Sequence, residues 1–278
     1  MINYDWCAKA FRLHLMLPFL GGLSFVATSF NEPKVRIIGH PLIVIDPGHG
    51  GHDHGARGSS SLEKEVNLNV ALRLRDQILL QIPEARVMLT RESDAFLPLP
   101  ERTAIANTHN ADLFISLHCN SNRNGQVRGA ETYIMGLHKS GQNLEVTAME
   151  NGNQEDIGLD QLSMEEIIIF NQLQDQNLAK SRELAMLFHD QFSAVHPGGS
   201  RTTRQAGFRV LWQAAMPSVL VEMGYINNPS DESFLISDEG KDKIAKSLTQ
   251  SLQDYLILRS RELATASIQP DISSGWRQ

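Results

Sequence analysis

Short apolar runs alternate with amphipathic stretches along most of this chain. Leu42–Asp46 is a continuous apolar run and predicts a buried strand. Glu63–Ile82 carries Val66, Val70, Leu74, Ile78 and Ile82 at four-residue steps, the stripe of a helix with one buried side. Arg86–Thr90 predicts a second strand. Pro100 opens a second helix that continues through Ala104 and Ala106, since proline suits a first helical turn. In Asp112–His118, alternation sets Phe114, Ser116 and His118 on one face of a third strand and Ile115 and Leu117 on the other. Ala130–Met135 predicts a fourth strand, and Phe208–Leu211 and Val219–Glu222 two more. Long helices are expected over Asp175–Val195, using Leu178, Leu184, Leu187, Phe188 and Phe192, and near Asp238–Leu258. Strands separated by helices predict an α/β fold: a single domain with a mostly parallel central sheet flanked by helices on both faces.

Three regions depart from this rhythm. Lys9 and Arg12 precede the apolar stretch Leu13–Phe30, and Ala27-Thr28-Ser29 offers the small residues that a signal peptidase needs. Residues 1–29 therefore read as a secretory signal, which places the rest of the chain in the periplasm or otherwise outside the cytoplasm. An uncleaved anchor or a buried first helix are the alternatives, and Pro18 and Gly21-Gly22 weaken a stable span. Between Lys139 and Lys180 there is no lysine or arginine, yet Glu145, Glu150, Glu155, Asp156, Asp160, Glu165, Glu166 and Asp175 all fall there. This acidic insertion has a loop-like half, Asn151–Asp160, and a helical half with Ile167, Ile168, Ile169 and Phe170. It reads as a solvated insertion docked by its isoleucines, or else as a lid or a docking site for a basic partner. The end of the chain, 261–278, is expected to be a loose tail, polar from Thr265 and broken by Pro270 and Gly275.

The bulk numbers bound the partners. With 278 residues the chain can bury one large core or two small ones. A net charge of −7 argues against nucleic acid, which needs a basic face, although Arg201, Arg204 and Arg209 could form a local patch. Cys7 would leave with the signal and Cys119 would then stand alone, so no disulfide framework is available. A monomer is expected.

Candidate chemistry lies at the ends of the strands. Asp46-Pro47-Gly48-His49-Gly50-Gly51 ends the first strand and turns on glycines, leaving one imidazole at its mouth. His118 ends a buried strand and leads into polar Asn120-Ser121-Asn122, while Glu63 opens a helix. Ligands of open α/β sheets gather outside the carboxyl ends of the strands. Two imidazoles and a carboxylate so placed make a catalytic zinc set with one position left for water. For Glu63 the alternative is a first-turn acid favoured by the helix dipole. Glu222 ends the apolar run Val219-Leu220-Val221, where a carboxylate is costly unless compensated. A nearby zinc would compensate it and leave a general base; the alternative is a structural cap. His52 and His54 read as solvated loop histidines, and His14, His40, His109, His138, His189 and His196 as structural or surface groups.

The residues also match a family. Ile45–Gly51, Asp53 with Gly55-Ala56, Glu63-Lys64, Arg102 through Ala106-Asn107, Ser116–Asn120, Gly129–Thr132, Gln205–Phe208 with Val210-Leu211, and Pro217–Asn228 follow one another as in the zinc-dependent N-acetylmuramoyl-L-alanine amidases that separate daughter cells in bacteria. The chain resembles that family from about residue 42 to 258. The resemblance implies a zinc amidase domain over 40–260 with Zn²⁺ on His49, Glu63 and His118. It implies Glu222 as the catalytic carboxylate and Asn120 as a substrate-binding residue. The implied substrate is peptidoglycan, cut at the amide between N-acetylmuramic acid and L-alanine by zinc-activated water. It further implies that the 139–180 insertion is a regulatory lid, with Glu150 filling the open coordination position until an activator protein withdraws it. The lysine or arginine that commonly precedes that glutamate is Met149 here. Two other classes compete: a non-catalytic wall-binding module of the same fold, and a zinc peptidase acting within the stem peptide.

Overall fold

Valine, isoleucine and leucine runs buried on both sides form the centre of a six-stranded sheet. The computed structural model describes residues 37–136, 141–151 and 164–266. The expected signal segment, the middle of the acidic insertion and the end of the tail lie outside them. The strands are β1 (Leu42–Pro47), β2 (Arg86–Leu89), β3 (Leu113–Asn120), β4 (Ala130–Met135), β5 (Ser200–Ala206) and β6 (Ser218–Tyr225). Their order is β2-β1-β3-β6-β4-β5. Every pairing is parallel except β4 with β6. The expected α/β domain with a mostly parallel sheet is the one observed.

Alternation along the strands divides the core between two faces. Ile43 and Ile45, Ile115 and Leu117, and Val219 and Val221 point to one side. There they meet α1 (Glu63–Gln81) through Val66, Val70, Leu74 and Ile78. Two longer helices, α4 (Met164–Val195) and α7 (Asp238–Ala266), complete that face with Leu184, Phe188, Phe192, Leu248 and Leu252. Val44, Phe114 and Leu220 point to the opposite side. They pack with Ala106 of α2 (Leu99–Thr108), Val146 of α3 (Gly141–Glu150) and Val210 and Leu211 of α5 (Arg209–Trp212). Pro100 sits in the first turn of α2, where its missing N–H costs nothing. A short helix, α6 (Pro229–Ile236), starts on Asn228, whose side chain accepts from the backbone N–H of Ser230 and Asp231.

Several expectations are corrected. Phe208–Leu211 is not a strand: Val210 and Leu211 enter the second core from the single turn of α5. The strand there is β5, a half-buried edge whose sequence SRTTRQA is polar because one side faces solvent. Helix α4 begins at Met164 rather than Asp175. Helix α7 runs on to Ala266, past the expected start of the tail at 261. Beyond Asn151 the expected loop Asn151–Asp160 lies outside the described residues, as do the side chains of Ile167–Phe170. Among the described residues no helix is long and apolar enough to cross a membrane.

Candidate metal centre and active site

On the face lined by α2, α3 and α5, the apolar pattern gives way to polar side chains towards the carboxyl ends of β1, β3 and β6. Phe114 is followed on that face by Ser116 and His118, and Leu220 by Glu222. The β1 strand ends in Asp46 and Pro47, and the chain then turns sharply. His49 itself adopts a left-handed backbone conformation, φ +61°. Such strain persists in a non-glycine residue only where the surroundings impose it. Two buried arginines do so. Arg102 donates to the carbonyls of Pro47 and His49, and Arg91 to those of Pro47, Gly48 and Lys64. Gly48 is required by space: a Cβ there would lie 2.3 Å from the His118 ring.

Asp46 anchors this floor. Burial alone would raise its pKa, but the Arg102 guanidinium at 2.9 Å and the hydroxyls of Thr90 and Ser116 hold it below the usual carboxylate range. Burial and the Arg102 charge together lower Arg91 to about 10.

Above the floor four side chains converge. His49 Nε2 lies 3.1 Å from Glu63 Oε1 and 3.1 Å from Glu150 Oε2. His118 Nδ1 lies 3.0 Å from Glu63 Oε1 and 2.6 Å from Glu150 Oε2. One donor atom from each of the four falls within 4.8 Å of every other. A tetrahedron of ligands at 2.0–2.1 Å from an ion has edges of about 3.3 Å, so these spacings suit one. His49 Nε2 and Glu150 Oε2 are buried and make no hydrogen bond, although near each other: they aim at a common point. The other nitrogen of His49, Nδ1, bonds Asp53 Oδ2 at 2.8 Å, which fixes the ring. Glu63 is held in turn by the N–H groups of Ala56 and Cys119 and by Asn67.

The electrostatics match this convergence. Burial works against protonating His49, but Glu63, Glu150 and Asp53 outweigh it and raise its pKa far above the ordinary histidine range. Glu150 and Glu63 do the same for His118, pushing it up to about 10 against the effect of burial. Burial would raise both glutamates, yet the imidazoles carry them below the carboxylate range. Exchanging two imidazole protons for one dication would leave the cluster's net charge unchanged. The donor set therefore fits a divalent metal.

Glu222 stands one strand away. It is the register partner of His118 on β3 and of Glu131 on β4. Both its oxygens are buried without a hydrogen bond, and burial together with repulsion from Glu150, Glu63 and Glu131 holds its pKa well above the usual value. Asn120 lies outside the four-donor cluster and donates to Glu131. His52 stacks on Phe96 and, like His54, takes no place among the four donors. Sequence reasoning missed Asp53, Arg91 and Glu131 as supports, because their partners are distant or carry no periodic signal. The one local hint was Asp53, four residues after His49.

The model of the N-acetylmuramoyl-L-alanine amidase family matches residues 43–254. The chain belongs to that family. It is 33% identical over 232 residues to the N-acetylmuramoyl-L-alanine amidase AmiA of Salmonella typhimurium, an alignment spanning 81% of this chain and 80% of that one. Among solved structures, the N-acetylmuramoyl-L-alanine amidase AmiC2 of Nostoc punctiforme superposes with a TM-score of 0.59 at 32% identity, covering 78% of this chain and 97% of that one. The catalytic domain of CwlV from Bacillus (Paenibacillus) polymyxa superposes with a TM-score of 0.60 at 28% identity, covering 78% and 98%. The amidase-family match extends from within β1 into α7 and so contains all five residues: His49, Glu63, His118, Glu150 and Glu222.

Proposed function

We propose that this chain hydrolyses the amide between N-acetylmuramic acid and the L-alanine of the peptidoglycan stem peptide, using Zn²⁺. What carries the reading is the pairing of a His/Glu/His donor set with the buried Glu222 carboxylate, in a chain of this family. His49, Glu63 and His118 would hold the ion, imidazole nitrogen and carboxylate oxygen being ligands that zinc takes. When bound, zinc supplies a Lewis acid that polarises a carbonyl and lowers the pKa of a water towards neutrality. Glu222 takes the proton of the attacking water on a carboxylate oxygen and passes it to the alanine nitrogen as the C–N bond breaks. Its raised proton affinity suits the second half of that task. Asp53 keeps the His49 ring turned so that Nε2 faces the site.

Glu150 serves as the stopper of a lid formed by the 139–180 segment. Its Oε2, at the end of α3, lies 3.1 Å from His49 Nε2 and 2.6 Å from His118 Nδ1 and would take the position otherwise left for water. Asn151 ties that end down, donating to the carbonyl of Gly207 and accepting from the N–H of Arg209, while Val146 seats the helix in the second core. An activator protein with a basic surface would draw this acidic segment aside. Glu150→Ala is expected to raise basal peptidoglycan hydrolysis about tenfold, the factor that accompanies a shift of ~1.4 kcal/mol between covered and open forms. Dye release from labelled sacculi measures it, and an unchanged rate in a folded, zinc-loaded variant removes the lid. Residues 1–29 act as an export signal in this scheme, so that cutting takes place outside the cytoplasm, in cell separation or wall turnover.

Mass spectrometry of digested sacculi tests the cleavage site. Free stem peptides beside intact glycan are expected. Shortened peptides still joined to muramic acid would mean a peptidase, and an untouched wall would mean a binding module.

A further inference from the structure

A second polar chamber opens beside the metal cluster, on the β4 side of Glu222. It measures about 270 Å³, and Asn120, Ser121, Asn122, Tyr225, Arg201 and Arg204 line it around Glu131. Glu131 is 2% exposed. Its Oε1 accepts from Arg201 Nε at 2.9 Å, and its Oε2 from Tyr133 Oη at 2.7 Å and Asn120 Nδ2 at 3.3 Å. Arg204 stands 3.7 Å from Oε1. The wall is shared with the proposed chemistry, because Glu131 and Glu222 are register partners on adjacent strands. The Arg201 side chain is 40% exposed and spends only its Nε on Glu131. Its two terminal amino groups make no protein hydrogen bond among the described residues. A guanidinium held by one edge, with the other edge open to a chamber, is a receptor for a planar anion.

Resting on the amidase reading above, we propose that this chamber seats the free carboxylate of the stem-peptide residue that follows L-alanine, with Arg201 as its anchor. The scissile amide separates an uncharged glycan from a peptide that carries free carboxylates, so an arginine chamber at the site reads the peptide side. The reach is right. Asn120, the near wall of the chamber, follows His118 by two positions on β3, a rise of about 6.6 Å across a register shift, which roughly one to two peptide residues span, and Arg201 lies beyond it on the other side of Glu131. Asn120 and Glu131 orient the guanidinium, and the amide beyond it falls at Glu222. The substrate is thereby placed with its peptide over β4 and β5.

The experiment compares two synthetic muramyl dipeptides that differ at one group. One carries a free α-carboxylate on the residue after alanine, and the other carries a carboxamide there. Cleavage is followed in the zinc-loaded full chain and in Glu150→Ala, for rates high enough to quantify. The acid is expected to exceed the amide in kcat/KM by about tenfold to a hundredfold, the range for a hydrogen bond to a charged group. Arg201→Ala should erase that preference by lowering only the rate on the acid, mainly through KM, and Arg201→Lys should restore part of it. Equal rates on the two compounds in the parent protein overturn the subsite and leave the amidase reading standing. So does an Arg201→Ala variant that slows both alike. Should Arg201→Ala fail to fold for want of a partner to Glu131, the parent ratio and the Arg201→Lys variant decide. If every form leaves both compounds intact while a peptidase pattern emerges from sacculi, the amidase reading falls and takes this proposal with it.

Discussion

Replacing Glu222 with glutamine is expected to leave the chain folded and zinc-loaded while slowing amide hydrolysis by about 10²–10⁴-fold, the contribution of a positioned acid–base group. Glutamine matches the shape of glutamate, so the β3–β6 register need not move. It cannot take a proton from water, and it cannot return one to the departing amine. The fold should not suffer. Glu222 is buried, both its oxygens lack hydrogen bonds, and Glu150, Glu63 and Glu131 repel its charge. The amide carries no charge to repel. Metal analysis, a thermal melt and a sacculus digest on the same preparation check the three parts. A variant with parental turnover would remove Glu222 from the chemistry. One that had lost its zinc would instead make it a ligand.

His118→Ala is expected to do the opposite: to lose the metal first, and activity as a consequence. Disturbing even an outer partner of a metal ligand costs about 10–100-fold in affinity, so loss of the ligand itself should exceed the upper figure. The ring also fills space against Gly48, and its removal leaves a gap in the floor of the site. Zinc content after dialysis measures the loss, and Asn120 or Glu222 variants serve as controls that keep the metal. The parent protein has a related pH dependence. Glu150 and Glu63 hold a proton on His118 with a pKa of about 10, and His49 is raised further. Both imidazoles must shed those protons to bind zinc. Affinity should therefore fall as pH falls, with proton release on binding, and calorimetry in buffers of different ionisation enthalpy counts the protons. Zinc uptake without proton release would mean that these nitrogens are not the ligands.

Much of this was readable before any coordinates. Leu42–Asp46 and Val219–Glu222 are legible because strands buried on both faces leave apolar runs, and Asp112–His118 because its alternation carries Ser116 and His118 on one face. The α1 stripe is legible because four-residue steps have no other use. The ligand candidates follow from polar side chains at the ends of those runs. What stayed hidden has physical reasons. The β5 strand is polar because it is an edge, and the apolar Val210-Leu211 beside it drew the strand assignment to a helical turn. The reversed direction of β4 leaves no trace, since alternation reads the same both ways. The start of α6 does carry a local signal, Asn228-Pro229, a capping side chain followed by a proline in the first turn. Arg91, Arg102 and Asp46 form the floor through contacts spanning 27 to 70 residues, which no local pattern encodes.

Because β4 and β5 run in the same direction, no tight turn can join them, and parallel neighbours need a crossover of a dozen or more residues. The stretch that delivers Glu150 to the cluster is that obligatory link. Every chain drawn on this sheet must therefore span the same gap, and the part of the link that precedes α4 is free to vary in length because His49, Glu63, His118 and Glu222 come from other elements. Exchanging the α3 part of that link among relatives, with the core-packing end of α4 kept in place, should transfer the proposed lid and leave the metal cluster as it was. On the proposed reading, when a cell permits cutting would be inherited separately from how the cut is made.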